Sequence, residues 1–435
     1  MKLLFLTTFS VDLEHEHYFT INVWKALAAH MVDCCLGTVM IVREVTKSEI
    51  IRAESCGHPY YMLRLPLSMR SNEEALVSEM ASFFRLIAPD VIHSNMAEGY
   101  DAKAASACGI PIAITIHIGG IICPRNGGDG FLTYKGTICH QSVSWKCLHC
   151  CCQNLPLSHL SYAILKAIPP KFMLTAYEKS KGRKPVFYFT AMLVYVHSIA
   201  ARMRLTETYK NAILIAANHR LADILRLNGL GKNTRVVPHG VINYPRFPFT
   251  FNCGNEPVKF FFLGRVQYSK GLHVIFRALR GIDPNKYEFH ILGAALSPDF
   301  KGKLYVKRLK RMARSLNVTF HGYINHDHLA DYIKNYHVMV HSTICLEVYG
   351  LTIAESLAVG RPVLSTRCGG AEMQVKDGLN GWLVAPNDVK AMHDKICDLI
   401  ENPEKIEAAA EYCRLPHPMN SYVSRLKSLY EELTA

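Results

Sequence analysis

Two carboxylates, Glu347 and Glu355, stand eight positions apart and bracket a Val-Tyr-Gly-Leu turn and the opening of a helix. A carboxylate carries two acceptor oxygens and suits paired hydroxyls, such as those of a ribose. Glu355, about one turn inside the expected helix, would point that group toward whatever the helix end holds. Glu347, still in the loop, would reach a second hydroxylated group. The helix opening at Tyr349, Gly350, Leu351 and Thr352 offers unpaired N–H groups and positive dipole character to a phosphate. Cations are offered elsewhere: Arg265 follows Gly264 at the end of an apolar run, and Lys270-Gly271 opens the next helix. Arg supplies a planar fork and Lys a point charge, so together they can neutralise charge growing on a departing diphosphate. These groups describe a site for a nucleotide-diphosphate sugar.

Such groups need loops that leave the carboxyl ends of strands and enter helices, where open parallel sheets bind ligands. The first half supplies apolar strands at 3–8, 35–42, 91–93 and 112–117, with helical stretches near 19–29, 72–86 and 101–107. Further short strands fall at 213–217 and 235–238. The second half repeats the alternation at 258–264, 289–293, 318–321, 338–341 and 363–365. Leu272, Ile275, Phe276 and Leu279 have the spacing of one buried helical face. Two βα-repeating halves imply an α/β protein of two Rossmann-like, doubly wound domains facing a central cleft. A length of 435 residues agrees with two cores rather than one. The linker falls in 243–257, which carries three prolines. The expected domains are 1–245 and 246–412, followed by a terminal helix in 413–435 with Tyr422, Leu426, Leu429, Tyr430 and Leu433 on one stripe.

The segment from Glu347 to Gly381 resembles the Glu-x7-Glu region of the retaining family-four glycosyltransferases. The trailing Gly369-Gly370-Ala371-Glu372 and Asp377-Gly378-Leu379-Asn380-Gly381 are similar to that family's following motif. Gly264-Arg265 and Lys270-Gly271 resemble its diphosphate-holding segment. The resemblance implies the GT-B fold, a terminal helix crossing back to the first domain, and metal-independent transfer of a hexose from a nucleotide-diphosphate sugar to a hydroxyl acceptor. In that scheme Arg265 and Lys270 stabilise the leaving group and Glu355 holds the ribose. Glu347 positions the hexose with backbone N–H groups of 349–351. The resemblance also assigns His117, ending the strand Ile114-Thr115-Ile116-His117, to contact with the transferred sugar. Imidazole can donate a hydrogen bond to a sugar hydroxyl or exchange a proton near it. His93 is a weaker candidate that supports the floor of the cleft.

Two features depart from or add to the pattern. Many family members carry a Gly-Gly loop after the first strand, whereas this chain has Phe9 to Glu16, including Asp12, Glu14 and Glu16. Side chains there hinder a close approach of phosphate, and carboxylates oppose a second anion. The loop therefore serves the acceptor, or phosphate binding falls wholly on the second domain. The segment 121–153 is rich in cysteine: Cys147 and Cys150 form a C-x2-C knuckle that Cys123 and Cys139 would complete to four sulfur ligands. Four thiolates suit a structural zinc or an iron–sulfur cluster bracing a loop. Free thiols or an incidental disulfide are the alternatives.

Composition sets the remaining bounds. An apolar fraction of 49% excludes a disordered chain. The opening Met1 to Leu6 reads as a buried strand, because Asp12, Glu14 and Glu16 arrive before any signal-peptide core or cleavage site. Fifteen scattered cysteines fit a reduced, cytoplasmic enzyme. The net charge of +13 is concentrated: Lys301, Lys303, Lys307, Arg308, Lys310, Arg311 and Arg314 crowd one expected helix, and Lys179, Lys181, Arg183 and Lys184 precede an apolar run at 186–196. That run is too short to span a bilayer. It reads either as peripheral contact with an anionic membrane surface or as a buried helix beside a solvated basic face. No nucleic-acid motif accompanies the charge. The function expected is a hexosyltransferase acting on a glycan or lipid-linked glycan. The alternatives are a non-catalytic nucleotide-sugar-binding subunit and a nucleotide-sugar epimerase of the same fold.

Overall fold

A computed structural model describes residues 1–7, 18–31, 33–96, 99–117, 121–125, 130–153, 158–180, 187–249, 256–294 and 300–435. The loop holding Asp12, Glu14 and Glu16, and the basic residues Lys181, Arg183 and Lys184, lie outside the described residues. By contacts the chain divides into one unit of residues 1–130, 140–240 and 419–435 and a second of 131–139 and 241–418.

The first unit is built on eight strands: β1 (Leu3–Thr7), β2 (Cys34–Val42), β3 (Glu49–Ser55), β4 (His58–Pro66), β5 (Val91–Ser94), β6 (Ile112–Thr115), β7 (Ala212–Ala216) and β8 (Thr234–Val236). Their order is β3-β4-β2-β1-β5-β6-β7-β8. Leu3, Leu4, Phe5 and Leu6 of β1 are wholly buried, as a strand covered on both faces requires. Pairing is parallel throughout except between β3 and β4. That hairpin turns on Cys56 (φ 53°) and Gly57 (φ 76°), the two positive angles of a type I′ turn. The helix Met419–Thr434 packs into this unit through Tyr422, Val423, Leu426, Leu429 and Tyr430. The helices Cys147–Cys152, Ser158–Ala167, Pro170–Ser180 and Phe187–Arg202 enclose a small core of their own, with Leu148, Leu165, Met173, Leu193, Val196 and Ile199 buried in it. The described part of the 186–196 run thus gives Leu193 and Val196 to protein packing. Among the described residues no helix is long and apolar enough to cross a membrane.

The second unit has six parallel strands, β9 (Val258–Leu263), β10 (Tyr287–Leu292), β11 (Val318–Gly322), β12 (Val338–His341), β13 (Val363–Thr366) and β14 (Gly381–Val384). Their order is β11-β10-β9-β12-β13-β14. The chain winds outward from β9 in one direction as far as β11, then returns to the other side of β9 with β12. The β9/β12 border is therefore the topological switch point, where open sheets of this kind bind ligands beyond the strand ends. Phe260, Phe262, Ile275, Phe276, Val338, Val340 and Leu364 fill the core beneath it.

The loops above that border approach too closely for side chains. Gly271 has φ +74°, and a Cβ there would sit 2.0 Å from the carbonyl oxygen of Ser342. Ser342 Oγ also donates to the Lys270 carbonyl at 2.9 Å, and the Ile344 amide donates to the Ser269 carbonyl at 2.8 Å. The loops after β9 and β12 are thus stitched together. Gly271→Ala should cost at least about 2 kcal/mol, because it combines a left-handed angle with a backbone collision. Urea unfolding of the variant against the parent measures this, and a stability within about 0.5 kcal/mol of the parent contradicts the close approach.

Candidate functional site

At the switch point the β9 loop delivers Lys270 and the β12 loop delivers Glu347. Lys270 Nζ donates to Glu347 Oε2, and the two side chains are only 19% and 16% exposed. The Glu347 backbone is fixed from the far side: its amide donates to the Cys368 carbonyl at 2.8 Å, and its carbonyl accepts from the Gly370 amide at 2.9 Å. Burial by itself would raise the Glu347 carboxyl, but Lys270 and His341 outweigh it and hold the group well below the usual range. Burial likewise works against charge on Lys270, and Glu347 overcomes it, so the ammonium is strengthened.

A relay of neutral groups supports the carboxylate. Thr343 Oγ1 donates to Glu347 Oε2 at 3.3 Å and lies 3.0 Å from His341 Nε2, while His341 Nδ1 lies 3.1 Å from Ser365 Oγ. With Nε2 protonated, Nε2–H donates to Thr343 and Thr343 donates to Glu347, while Ser365 Oγ lies between His341 Nδ1 and the Thr366 carbonyl, 3.2 Å away. Burial lowers the His341 pKa, which keeps the imidazole neutral in this role. His341, Thr343 and Ser365 escaped the sequence reading. The only signal was a histidine ending an otherwise apolar strand.

Glu355 occupies the opposite electrostatic setting. It is the fifth residue of the helix Leu351–Val359, 2% exposed, and one of its oxygens, Oε2, has no hydrogen-bond partner among the described residues. Tyr244 bonds the carboxyl, and His326 Nδ1 stands 3.7 Å from Oε1. Burial raises its pKa to about 7, with Tyr244 opposing. A buried carboxyl oxygen without a donor carries a desolvation cost that a hydroxyl donor would offset. Neither Tyr244 nor His326 was foreseen, because each comes from a loop distant in sequence.

The helix start is shaped by its carbonyls. Gly350, the N-cap, has φ +81°. Gln374 Nε2 donates to the carbonyls of Tyr349 at 2.6 Å, Gly370 at 3.2 Å and Gly350 at 3.3 Å. The Tyr349 side chain is buried, with its hydroxyl 2.8 Å from His417 Nδ1. Tyr349 can therefore serve a ligand only through its backbone, as can Gly350, while Leu351 and Thr352 open the helix. Arg265 is exposed and has no ion-pair partner among the described residues. The two cations of the sequence reading are thus unequal, since Lys270 is already half of a neutral pair.

In the first unit β6 ends at Thr115, and His117 lies two residues beyond, half-buried, with Nε2 2.6 Å from Asn95 Oδ1. His117 also packs beside Phe19 and His239. His93 is wholly buried between the Tyr430 hydroxyl and Thr115 Oγ1, and burial depresses its pKa to about 3. It is a neutral core histidine that ties the last helix to β5. Cys123, Cys147 and Cys150 lie near enough to Cys151 to raise its thiol further, after burial has done most of that. The expected tetrad of Cys123, Cys139, Cys147 and Cys150 does not form. Cys139 groups by contacts with the second unit, and no three His, Cys, Asp or Glu side chains among the described residues are arranged to hold a metal ion. The spacing suited ligands, but the helix Cys147–Cys152 turns Cys151 and Cys152 into an apolar core instead.

Residues 245–415 match the family described as glycosyl transferases group 1. The fold of the whole chain is GT-B. It superposes on sucrose-phosphate synthase from Thermosynechococcus elongatus with a TM-score of 0.65 at 16% identity, covering 100% of this chain and 99% of that one. On Anabaena HepE in complex with UDP-glucose the TM-score is 0.60 at 15% identity, covering 100% of both chains. In sequence, the chain is 28% identical over 195 residues to the D-rhamnosyltransferase WbpZ of Pseudomonas aeruginosa, covering 43% of this chain and 48% of the relative. It is 28% identical over 153 residues to the D-inositol 3-phosphate glycosyltransferase of Streptomyces griseus, covering 34% and 32%. The chain spans about a third to a half of the length of the curated relatives it matches.

The contrast between the glutamates predicts a pH dependence. Glu355 binds its proton more tightly folded, with a pKa of about 7, than unfolded, where a glutamate has its ordinary value of 4.5. Its contribution to stability is present below about pH 4.5 and is lost as pH rises through about 7, a change of about 3 kcal/mol. Glu355→Gln should flatten that fall. Urea midpoints across this pH range measure it, and parallel curves for variant and parent contradict the assignment.

Proposed function

We propose that the protein is a retaining glycosyltransferase moving a hexose from a nucleotide-diphosphate sugar to a hydroxyl of a glycan or lipid-linked glycan. The observation that carries this reading is the convergence of Lys270, Glu347, Glu355 and the helix start at Leu351 around one sheet switch point, inside the segment that matches the family. The neighbour solved with UDP-glucose supports a donor of that type.

Glu355 accepts from the ribose hydroxyls. Two hydroxyl donors stabilise the ionised form, so donor binding lowers its pKa and releases a proton near neutrality. Arg265 and the N–H groups at 350–352 take the phosphates, joined by the Lys270 donors that Glu347 leaves available. Glu347 positions the hexose, and the family resemblance assigns His117 to sugar contact. Glu347 makes a poor covalent nucleophile, because Lys270 and Thr343 occupy one oxygen and its basicity is depressed. Attack by the acceptor on the face the diphosphate leaves is therefore favoured over a glycosyl-enzyme, and the product keeps the anomeric configuration. These cations and dipoles neutralise the leaving group without a divalent ion, so transfer needs no metal.

The first experiment is a screen of UDP-, GDP- and ADP-sugars for thermal stabilisation, followed by donor turnover and NMR of the released sugar. Expected are slow donor hydrolysis that survives excess chelator and retention of configuration. Lys270→Ala should lower kcat about 100- to 1,000-fold. Donor binding without turnover in any acceptor mixture favours a non-catalytic subunit, and an epimerised donor favours an epimerase. Calorimetry in buffers of different ionisation enthalpy near pH 6.5 should report proton release on donor binding. Its absence from the parent contradicts the Glu355 role.

A further inference from the structure

We propose that the outer face of the helix Phe300–Met312 is a docking surface for an anionic phospholipid bilayer. This goes beyond the donor reading and stands without it. From 300 to 326 the chain has seven Lys or Arg residues and no Asp or Glu, the next acid being Asp327. The structure sorts six of them, from Lys303 to Arg314, onto one side. Leu309 is buried, and Tyr305, Val306, Met312 and Ala313 pack against the second unit's core. Lys303, Lys307, Arg308, Lys310, Arg311 and Arg314 are exposed. Lys303, Lys307, Lys310, Arg311 and Arg314 line a surface concavity of about 350 Å3 with Val306. Among the described residues none of these five forms an ion pair.

Like charges three and four positions apart repel one another, and solubility alone is better served by mixing signs. A surface of this kind therefore calls for an anion. What selects a bilayer over a water-borne polyanion is Leu304. It is 55% exposed and sits one helical turn from Lys307, Arg308 and, further on, Arg311. A membrane interface offers phosphates to the cations and an acyl boundary to the leucine. A soluble polyanion offers the leucine nothing.

The test uses the full chain with vesicles of phosphatidylcholine alone or mixed with phosphatidylglycerol, scored by flotation. A soluble polyuronate serves as the competing probe. The parent should bind the mixed vesicles at low salt, release as salt rises, and ignore neutral vesicles. Combined Lys303→Gln, Lys307→Gln and Arg311→Gln should lower the partition coefficient about a hundredfold, with thermal midpoint and donor turnover unchanged. Leu304→Ser should lower it about fivefold at every salt concentration. Equal binding by the parent and the triple variant overturns the proposal. So does equal binding to neutral and mixed vesicles, an unchanged partition for Leu304→Ser, or capture by the polyuronate with none by vesicles.

Discussion

The β9 and β12 loops of the second unit meet in the ion pair of Lys270 and Glu347. Taking an ammonium and a carboxylate out of water is expensive, and their attraction offsets that cost only when geometry is good and the remaining polar atoms are satisfied. Here the glycine at 271 lets the β9 loop rest on the Ser342 carbonyl, which brings Lys270 to the β12 loop. Thr343 and the neutral His341 complete the carboxylate's surroundings. An apolar pair of similar volume would hold the loops together as well. What the ionic pair adds is a fixed negative group whose protonation state does not respond to ordinary changes of pH, beside a cation with donors to spare.

Glu355 shows what the same side chain does without such support. Two glutamates eight positions apart reach opposite states because one faces an ammonium and the other is buried beside Tyr244 and a His326 whose own pKa is lowered. A pair of carboxyls pushed apart in this manner can divide roles between permanent charge and ligand-dependent charge. The orphaned oxygen on Glu355 is a local cost in the ligand-free protein. A donor placed against that oxygen would offset the cost, which is the physical ground for the hydroxyl-binding role proposed for Glu355.

Much of this was legible in the sequence, for identifiable reasons. The strands buried on both faces are continuous apolar runs, and the loops that follow them carry glycines where backbones meet, so β1, β9, β12 and the residues Arg265, Lys270, Glu347 and Glu355 could be placed from order and spacing. The β3–β4 hairpin was missed because β3 is exposed along nearly its whole length and lacks the alternation that marks a half-buried strand. β14 was missed because its four residues are too few to show a period. The cysteine tetrad failed for a different reason. Spacing specifies ligands only when the intervening chain folds to bring them together, and helical packing of Cys151 and Cys152 took precedence. Tyr244, His326 and Gln374 had no signal at all, since each acquires its role from a neighbour remote in sequence, and His341 had only its place at the end of an apolar strand.

Gln374 deserves its place in the site on backbone geometry. In a trans peptide the carbonyl and the following N–H point in opposite directions. By drawing the carbonyls of Tyr349, Gly350 and Gly370 toward one amide, Gln374 turns the N–H groups of Gly350, Leu351 and Ala371 the other way. The left-handed Gly350 then carries the chain into the helix without a side chain over its first turn. Because Glu347 already cancels most of the charge on Lys270, the proposed grip on a diphosphate falls largely to those oriented amides and to Arg265. Such a grip is fixed before the ligand arrives and needs little rearrangement as charge develops, which is the condition under which dipoles contribute most to a transfer reaction.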